Sequence, residues 1–253
     1  MAPIAPCGKS TRRLCIVYSH MLATLDPLDP YQPFPDIRQA LAEPNGLLAV
    51  GGCLSPVRLL NAYRHGIFPW YGDDDPILWW SPDPRWVIRP EDYKPARSLA
   101  KQMRRGDFSF SHDRAFEHVL QGCAAPRPGV AGTWITPEMQ AAYLELYRKG
   151  FAHSFEAWQG ERLVGGLYGV TLGRVFFGES MFHRVSNASK AVFAYAMTCL
   201  AAWGYKLVDC QVHSAHLESL GAEAISRADF AGKLFVACRH EPLVGAWAQE
   251  NGT

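Results

Sequence analysis

The sequence predicts an α+β protein whose carboxy-terminal part carries a mixed sheet, and three observations point there. Beyond Phe151 the apolar pattern reads strand, strand, strand, helix, strand, helix. Helix-start signals recur along the chain: a Ser or Thr stands just ahead of Pro or of an apolar run, with Gly one helix length later. Of 253 residues, 48% are hydrophobic and 19% charged, so the chain can bury a sizeable core as one large domain or two small ones.

Taken in order, the first two dozen residues read as a poorly ordered extension, and residues 25–35, rich in Pro and Asp, as an extended lead-in with little room for helix. The first organised segment starts near Asp36. Ser55 followed by Pro56 begins a helix through Leu59, Leu60 and Tyr63 that Gly66 ends. Gly66-Ile67-Phe68-Pro69-Trp70-Tyr71, then three Asp residues and Trp79-Trp80-Ser81-Pro82-Asp83-Pro84-Arg85-Trp86, are too dense in aromatics and proline for an ordinary surface loop. Thr136 and Pro137 open a second helix through Tyr143 and Leu146 that stops at Gly150. Strands follow over 152–158, 162–171 and 175–177, separated by turns at Gln159-Gly160 and Gly173. Asn187 is placed to cap an apolar helix ending near Gly204, residues 206–212 form another strand, Ser214 starts a short helix ending at Gly221, and Ser226 caps a last helix through Phe230 and Leu234.

Charge and cysteine usage exclude several classes. Lys and Arg total 25 against 24 for Asp and Glu, a net charge of +1, so contact with a polyanion must be a local patch. The seven cysteines, Cys7, Cys15, Cys53, Cys123, Cys199, Cys210 and Cys238, are odd in number and include no Cys-x-x-Cys pair, which favours reduced thiols in a cytoplasm. The longest apolar stretch, 191–204, is shorter than the roughly 20 residues of a membrane-spanning helix. Arg12 and Arg13 are followed by an apolar run that stops at Tyr18, so no secretory leader is expected. Neither a Gly-x-x-x-x-Gly-Lys-Ser/Thr loop nor a Gly-x-Gly-x-x-Gly fingerprint occurs, so any reaction should draw on a substrate already activated.

Three constellations can carry chemistry. Tyr168, Phe176, Phe177, Met181 and Phe182 surround Gly178-Glu179-Ser180, an unusual address for a carboxylate. Either Glu179 turns to solvent at a strand end, or it is the anion of an apolar pocket suited to a substrate apolar at one end and cationic at the other. Period-two alternation sends Asp209 and Gln211 to one face of their strand and Cys210 to the other. The polar pair either converges in a site or satisfies backbone groups at the strand end. Cys210 invites a nucleophile reading with His213 or His216 as base, but its placement opposite the pair favours an inert buried thiol. The two histidines have no accompanying ligand spacing, so no zinc is expected. Finally, Lys94, Arg97, Lys101, Arg104 and Arg105 fall together with no acidic residue among them. On a helix, Arg97, Lys101 and Arg104 or Arg105 share a face, which is either a phosphate-binding stripe or solvated surface. Trp70, Trp79, Trp80 and Trp134 either stack on a base or fill a core.

Seven motifs occur in order: Glu43-Pro44-Asn45-Gly46-Leu47-Leu48-Ala49-Val50-Gly51-Gly52, Gly66-Ile67-Phe68-Pro69-Trp70-Tyr71, Trp79-Trp80-Ser81-Pro82-Asp83-Pro84-Arg85, Gly132-Thr133-Trp134-Ile135-Thr136, Gly178-Glu179-Ser180-Met181-Phe182, Asn187-Ala188-Ser189-Lys190 and Asp209-Cys210-Gln211-Val212. Together, over about 34–235, the chain resembles the bacterial leucyl/phenylalanyl-tRNA–protein transferase family. Residues 1–35 are expected to be a poorly ordered extension that lies outside the resemblance, which implies a small amino-terminal α/β domain, over 36–90, and a carboxy-terminal acetyltransferase-like (GNAT-like) domain, over 91–253. It implies an enzyme that moves Leu or Phe, less readily Met, from aminoacyl-tRNA to the α-amine of proteins beginning with Arg or Lys, marking them for N-end-rule degradation. Neither ATP nor a metal nor another cofactor is implied, and a cytoplasmic monomer without membrane contact is expected.

Position by position, the resemblance makes Asp209 and Gln211 the catalytic pair and Glu179 the carboxylate of the substrate site. It places Leu167, Phe176, Phe177, Ser180 and Met181 at the aminoacyl pocket, Trp70 and Trp134 near the terminal adenosine, and Arg97, Arg104 and Arg105, with Lys101 of the same stripe, on the tRNA. Leu167 stands where Met is frequent and Phe177 where a smaller residue occurs, so the preference among Leu, Phe and Met can shift. In the expected reaction Asp209 positions the Gln211 amide, Gln211 orients the attacking amine, and Glu179 meets the cationic acceptor. Rival readings are an acetyltransferase using coenzyme A, a non-catalytic tRNA-binding protein, and a cell-wall aminoacyltransferase.

Overall fold

The computed structural model describes residues 22–126 and 133–248. The expected extension up to residue 21, with Cys7, Cys15, Arg12 and Arg13, and Gly132 of the fourth motif lie outside the described residues. Two mixed sheets make the α+β class expected. The smaller has strand order β1-β2-β4-β3, from β1 (Ala23–Leu25), β2 (Leu47–Gly51), β3 (Phe68–Pro69) and β4 (Leu78–Trp80). Helix α1 (Pro56–Arg64) joins β2 to β3. The Ser55 side chain accepts the Arg58 N–H at 3.3 Å, Pro56 fills the first helical position, and Gly66, at φ +74°, turns the chain out.

The lead-in before Asp36 corrects an expectation. Residues 22–35 are ordered: β1 pairs parallel with β2, and Leu22 and Leu25 are buried. A fully buried Arg58 explains why so Pro- and Asp-rich a segment is held. Its guanidinium donates to the carbonyls of Asp29 and Gln32 and lies 5.1 Å from the Phe34 ring. Carbonyls that would otherwise need water thus receive charged donors.

The larger sheet has the order β11-β5-β10-β9-β8-β7-β6. Its strands are β5 (Arg85–Ile88), β6 (Ser109–His112), β7 (Ala152–Gln159), β8 (Arg162–Leu172), β9 (Val175–His183), β10 (Leu207–Gln211) and β11 (Glu223–Ile225). Strand β5 pairs antiparallel with β10 and β11, so residues 85–88 lie in this sheet. Within this sheet, among the described residues, only β9 and β10 run parallel, because the long helix α5 crosses over between them. Before it come α2 (Arg97–Arg104), α3 (Phe116–Ala124) and α4 (Pro137–Arg148); α5 spans Ala188–Ala202, and α6 (Ala215–Ser219) and α7 (Arg227–Ala237) complete the chain order.

The sheet separates two cores. On one face α5 packs against β7, β8 and β9 with Val192, Phe193, Met197 and Leu200 buried; on the other, α3 and α4 join α1 and the small sheet. Two local expectations change. Asn187 stands at the start of α5 in the left-handed region, φ +65°, and its side chain makes no capping bond; Nδ2 donates instead to Gln102 Oε1 on α2 at 3.0 Å. Strand β9 continues to His183 rather than stopping at Phe177, so Glu179 lies inside a strand and not at a solvent-facing end.

Candidate active site

The site is made by two irregularities in neighbouring strands. Pairing of β9 with β10 runs from Leu207 opposite Val175 to Asp209 opposite Phe177 and goes no further. Just beyond, Gly178 and Ser180 face consecutive residues of β8, so Glu179 is an inserted residue, and Asp209 and Gln211 face consecutive residues of β5, so Cys210 is another. Gln211 itself has φ +64°. Bulges bend and twist the strands that carry them, and here the parallel pair parts where both occur.

The opening is a narrow cleft of about 40 Å³. Of the residues expected at an aminoacyl pocket, Leu167, Phe176, Ser180 and Met181 line it, together with Glu179 and Gln211. Phe177 does not: alternation turns it to the opposite face, where its ring centroid lies 5.0 Å from that of Tyr63. Phe193 of α5, Val208 and Cys210 of β10 and Leu217 of α6 also line the cleft; the sequence reading missed them because helices far along the chain supply two. Gly169 keeps the Phe176 wall in place, since a Cβ there would lie 2.3 Å from the Phe177 carbonyl oxygen and 2.5 Å from the Phe176 ring.

At the polar end, Glu179 is 5% exposed. The hydroxyls of Tyr63, from α1, and Tyr143, from α4, lie 2.8 and 2.6 Å from its two oxygens and 2.8 Å from each other. Three short oxygen pairs need three protons. The phenols bring two, and the third is the carboxyl's own when Glu179 is neutral. Burial accordingly pushes Glu179 up to about 7, against the pull of the two tyrosine hydrogen bonds and with a smaller push from the charge of Asp209. Burial and the neighbouring Glu179 also hold both tyrosine hydroxyls protonated well beyond their ordinary range.

Gln211 Nε2 donates to Glu179 Oε1 at 2.9 Å. That fixes which end of the amide points where, with the nitrogen on Glu179 and the oxygen at the other end. Asp209 reaches Gln211 through its backbone. It is fully buried, paired with Arg85 through two bonds of 2.8 and 2.6 Å, and its Oδ1 accepts the backbone N–H of Gln211 at 2.9 Å. It therefore holds the bulged backbone, whereas the side-chain amide is held by Glu179. Arg85 in turn lies between the rings of Phe68 and Phe230, 4.7 and 4.6 Å away, and donates to the Gly66 carbonyl. The bulge also overturns the strict alternation: Gln211 lines the same cleft as Cys210. Burial pushes the Cys210 thiol far up, so it supplies no thiolate. His213 packs 4.6 Å from Trp86 and sits 3.2 Å from Glu218, while burial pushes His216 down to about 4.

The other candidates lie farther out. Arg97, Lys101, Arg104 and Arg105 are exposed on and just after α2, which turns Leu99 and Met103 to the core, and no ion pair engages these cations among the described residues. Trp70 is half-buried, edge-on to Trp80 at 5.6 Å, with an indole N–H that has no partner among the described residues. Trp134 is buried in the core with α1 and α4. A wider cleft between α2 and α6, edged by Lys94, Asn187 and Lys190, shares no lining residue with the acyl cleft.

Residues 87–235 match the family description "Leucyl/phenylalanyl-tRNA protein transferase", and residues 52–83 match its "N-terminal domain". A protein of Methylococcus capsulatus named leucyl/phenylalanyl-tRNA--protein transferase is 61% identical over 83% of this chain and 89% of its own length. One of Anaeromyxobacter sp. with the same name is 56% identical over 87% and 93%. Among solved structures, a GCN5-related N-acetyltransferase from Kribbella flavida superposes with a TM-score of 0.35 at 11% identity, over 68% of this chain and 61% of the other. The family match over most of the chain and the relatives at 56% and 61% identity lead to one conclusion: the chain belongs to the leucyl/phenylalanyl-tRNA–protein transferase family and is an aminoacyltransferase.

Proposed function

We propose that the enzyme takes Leu or Phe, and less readily Met, from aminoacyl-tRNA and joins it to the α-amine of proteins that begin with Arg or Lys, marking them for N-end-rule degradation in the cytoplasm. The observation that carries this reading is the cleft between β9 and β10, apolar along its walls and ending at an amide whose orientation Glu179 dictates. Leu167, Phe176, Met181, Phe193, Val208 and Leu217 seat the acyl side chain by apolar burial. Near neighbours differ in such a pocket by only about 1 to 3 kcal/mol, so use of Met alongside Leu and Phe follows.

Aminolysis of an ester already activated needs a neutral amine and a fixed approach. An α-amine with an ordinary pKa of about 7.7 to 8.0 is partly neutral at cellular pH. The amide oxygen of Gln211 accepts one N–H of that amine and aims its lone pair at the acyl carbon. A C–N bond forms, the bond to the ribose oxygen breaks, and the amine's proton passes to the departing oxygen, directly or through water. A carboxamide is too weak a base to keep it. Glu179, already hydrogen-bonded by Tyr63, Tyr143 and Gln211, serves better as the holder of Gln211 than as the counter-charge to an acceptor. Arg97, Lys101, Arg104 and Arg105 hold tRNA phosphates, and Trp70 the terminal adenosine; Trp134, buried, supports that region from the core.

Incubating the protein with Phe-tRNA and peptides differing only in the first residue tests the reading. Transfer to Arg- and Lys-initiated peptides, and little to the rest, is expected. Equal transfer to all, or none to any, refutes it.

A further inference from the structure

Beyond residue 235, where the family match ends, the chain folds back behind the cleft. The Leu243 N–H donates to the Trp203 carbonyl at 2.9 Å, Arg174 Nε donates to the Glu241 carbonyl at 2.8 Å, and His112 Nε2 lies 3.1 Å from the Ala248 carbonyl. These ties deliver Trp247 into an aromatic nest. Its ring stacks on His153 at 3.9 Å with 12° between planes, and its Nε1 donates to Tyr205 Oη at 2.7 Å. The backbone of Trp247 is left-handed, φ +63°, a conformation a bulky side chain keeps only where its surroundings hold it.

What the indole touches matters for the chemistry. It stands 5.1 Å from Phe155 and 6.3 Å from Phe176, nearly parallel to the latter at 23°. Phe176 is a wall of the acyl cleft, and Phe155 sits opposite Leu167, another wall, in the β7–β8 ladder. Trp247 does not line the cleft itself. Close-packed interiors transmit the size of one layer to the next, and a wall ring retreats when the ring behind it is removed.

We propose that Trp247 is a specificity-determining positioning residue: by bracing Phe176 and Phe155 from behind, it sets the depth of the acyl cleft and hence the balance between Leu and the larger Phe. The inference rests on the acyl-cleft reading above. Its test uses the full chain with Leu-tRNA, Phe-tRNA and a tRNA charged with a para-substituted phenylalanine, measuring kcat and KM for each donor. Trp247→Ala is expected to raise the Phe-to-Leu ratio about fivefold, within the range an apolar pocket commands, and to improve use of the para-substituted donor. Trp247→Phe should lie between. A merely structural tryptophan would lower all donors by one factor, and a ratio within twofold of the wild type overturns the proposal. Should Trp247→Ala not fold, the ratio for Trp247→Phe decides by the same limit. Wild-type protein that transfers neither Leu nor Phe would overturn the acyl-cleft reading along with it, whereas an active wild type with unmoved ratios overturns the role of Trp247 alone.

Discussion

Replacing Glu179 by Gln separates a neutral hydrogen-bonded acid from a buried counter-charge. Glutamine keeps the carbonyl that accepts from Tyr63 and Gln211, and its amide N–H replaces the carboxyl proton toward Tyr143, so all contacts of the neutral form survive. The fold raises this carboxyl from 4.5 to about 7, so the folded chain binds the proton more tightly than the unfolded one. Stability must therefore fall as pH rises from about 4.5 to about 7, by about 3 kcal/mol in all, and then level off. The Gln variant has no such proton to lose. Urea unfolding of both proteins at pH 5 and pH 8 should find the variant gaining about 2 to 3 kcal/mol on the wild type between the two. Its turnover should stay within about tenfold, with Arg-initiated acceptors still used, because the support of Gln211 is intact. Identical pH dependence in the two proteins, or selective loss of Arg-initiated acceptors, would refute the neutral-acid reasoning.

Other consequences follow from the same geometry. Gln211→Ala should lower kcat by about 100-fold while tRNA affinity stays near the wild-type value, read by single-turnover transfer and by filter binding. Arg85→Met strips a buried carboxylate of its partner, so unfolding free energy should drop by about 3 to 5 kcal/mol; a second change, Asp209→Leu, should recover part of that stability though not the activity. Neutralising Arg97, Lys101, Arg104 and Arg105 to Gln should weaken every tRNA alike. It should also flatten the plot of log Kd against log salt by roughly 0.7 to 0.9 per lost phosphate contact; an unchanged slope would remove the stripe from the interface.

Elements legible in the sequence were those with strong local signals. Ser55-Pro56 and Thr136-Pro137 announced α1 and α4, and both hydroxyls do cap, at 3.3 and 3.2 Å. Strands β7 and β8 and helices α6 and α7 likewise stand where period and turn residues put them. Short strands such as β1, β3 and β11, of two or three residues, carry too little pattern to be read alone and exist because neighbours complete their ladders. Strand β5 is silent for the same reason: nothing within Arg85–Ile88 announces that its partners are β10 and β11, more than a hundred residues on.

The chain alone determined the chemical inventory: a carboxyl set among aromatics at Glu179, the polar pair Asp209 and Gln211, a cluster of unopposed basic residues on one helix, and order-preserving motifs specific enough to point to a family. That Cys210 is an inert thiol follows from its burial in the folded chain, not from the alternation that the bulge overturns. Only the tertiary structure decided who holds whom. Bulges at Glu179 and Cys210 are events of strand pairing, and they turn Gln211 into the cleft against simple alternation. Alternation, conversely, takes Phe177 out of it. The assignments of Tyr63 and Tyr143 to Glu179, and of Arg85 to Asp209, join segments 36 to 124 residues apart. Such contacts depend on how whole elements pack, and a carboxyl's proton depends on every group that packing brings to it.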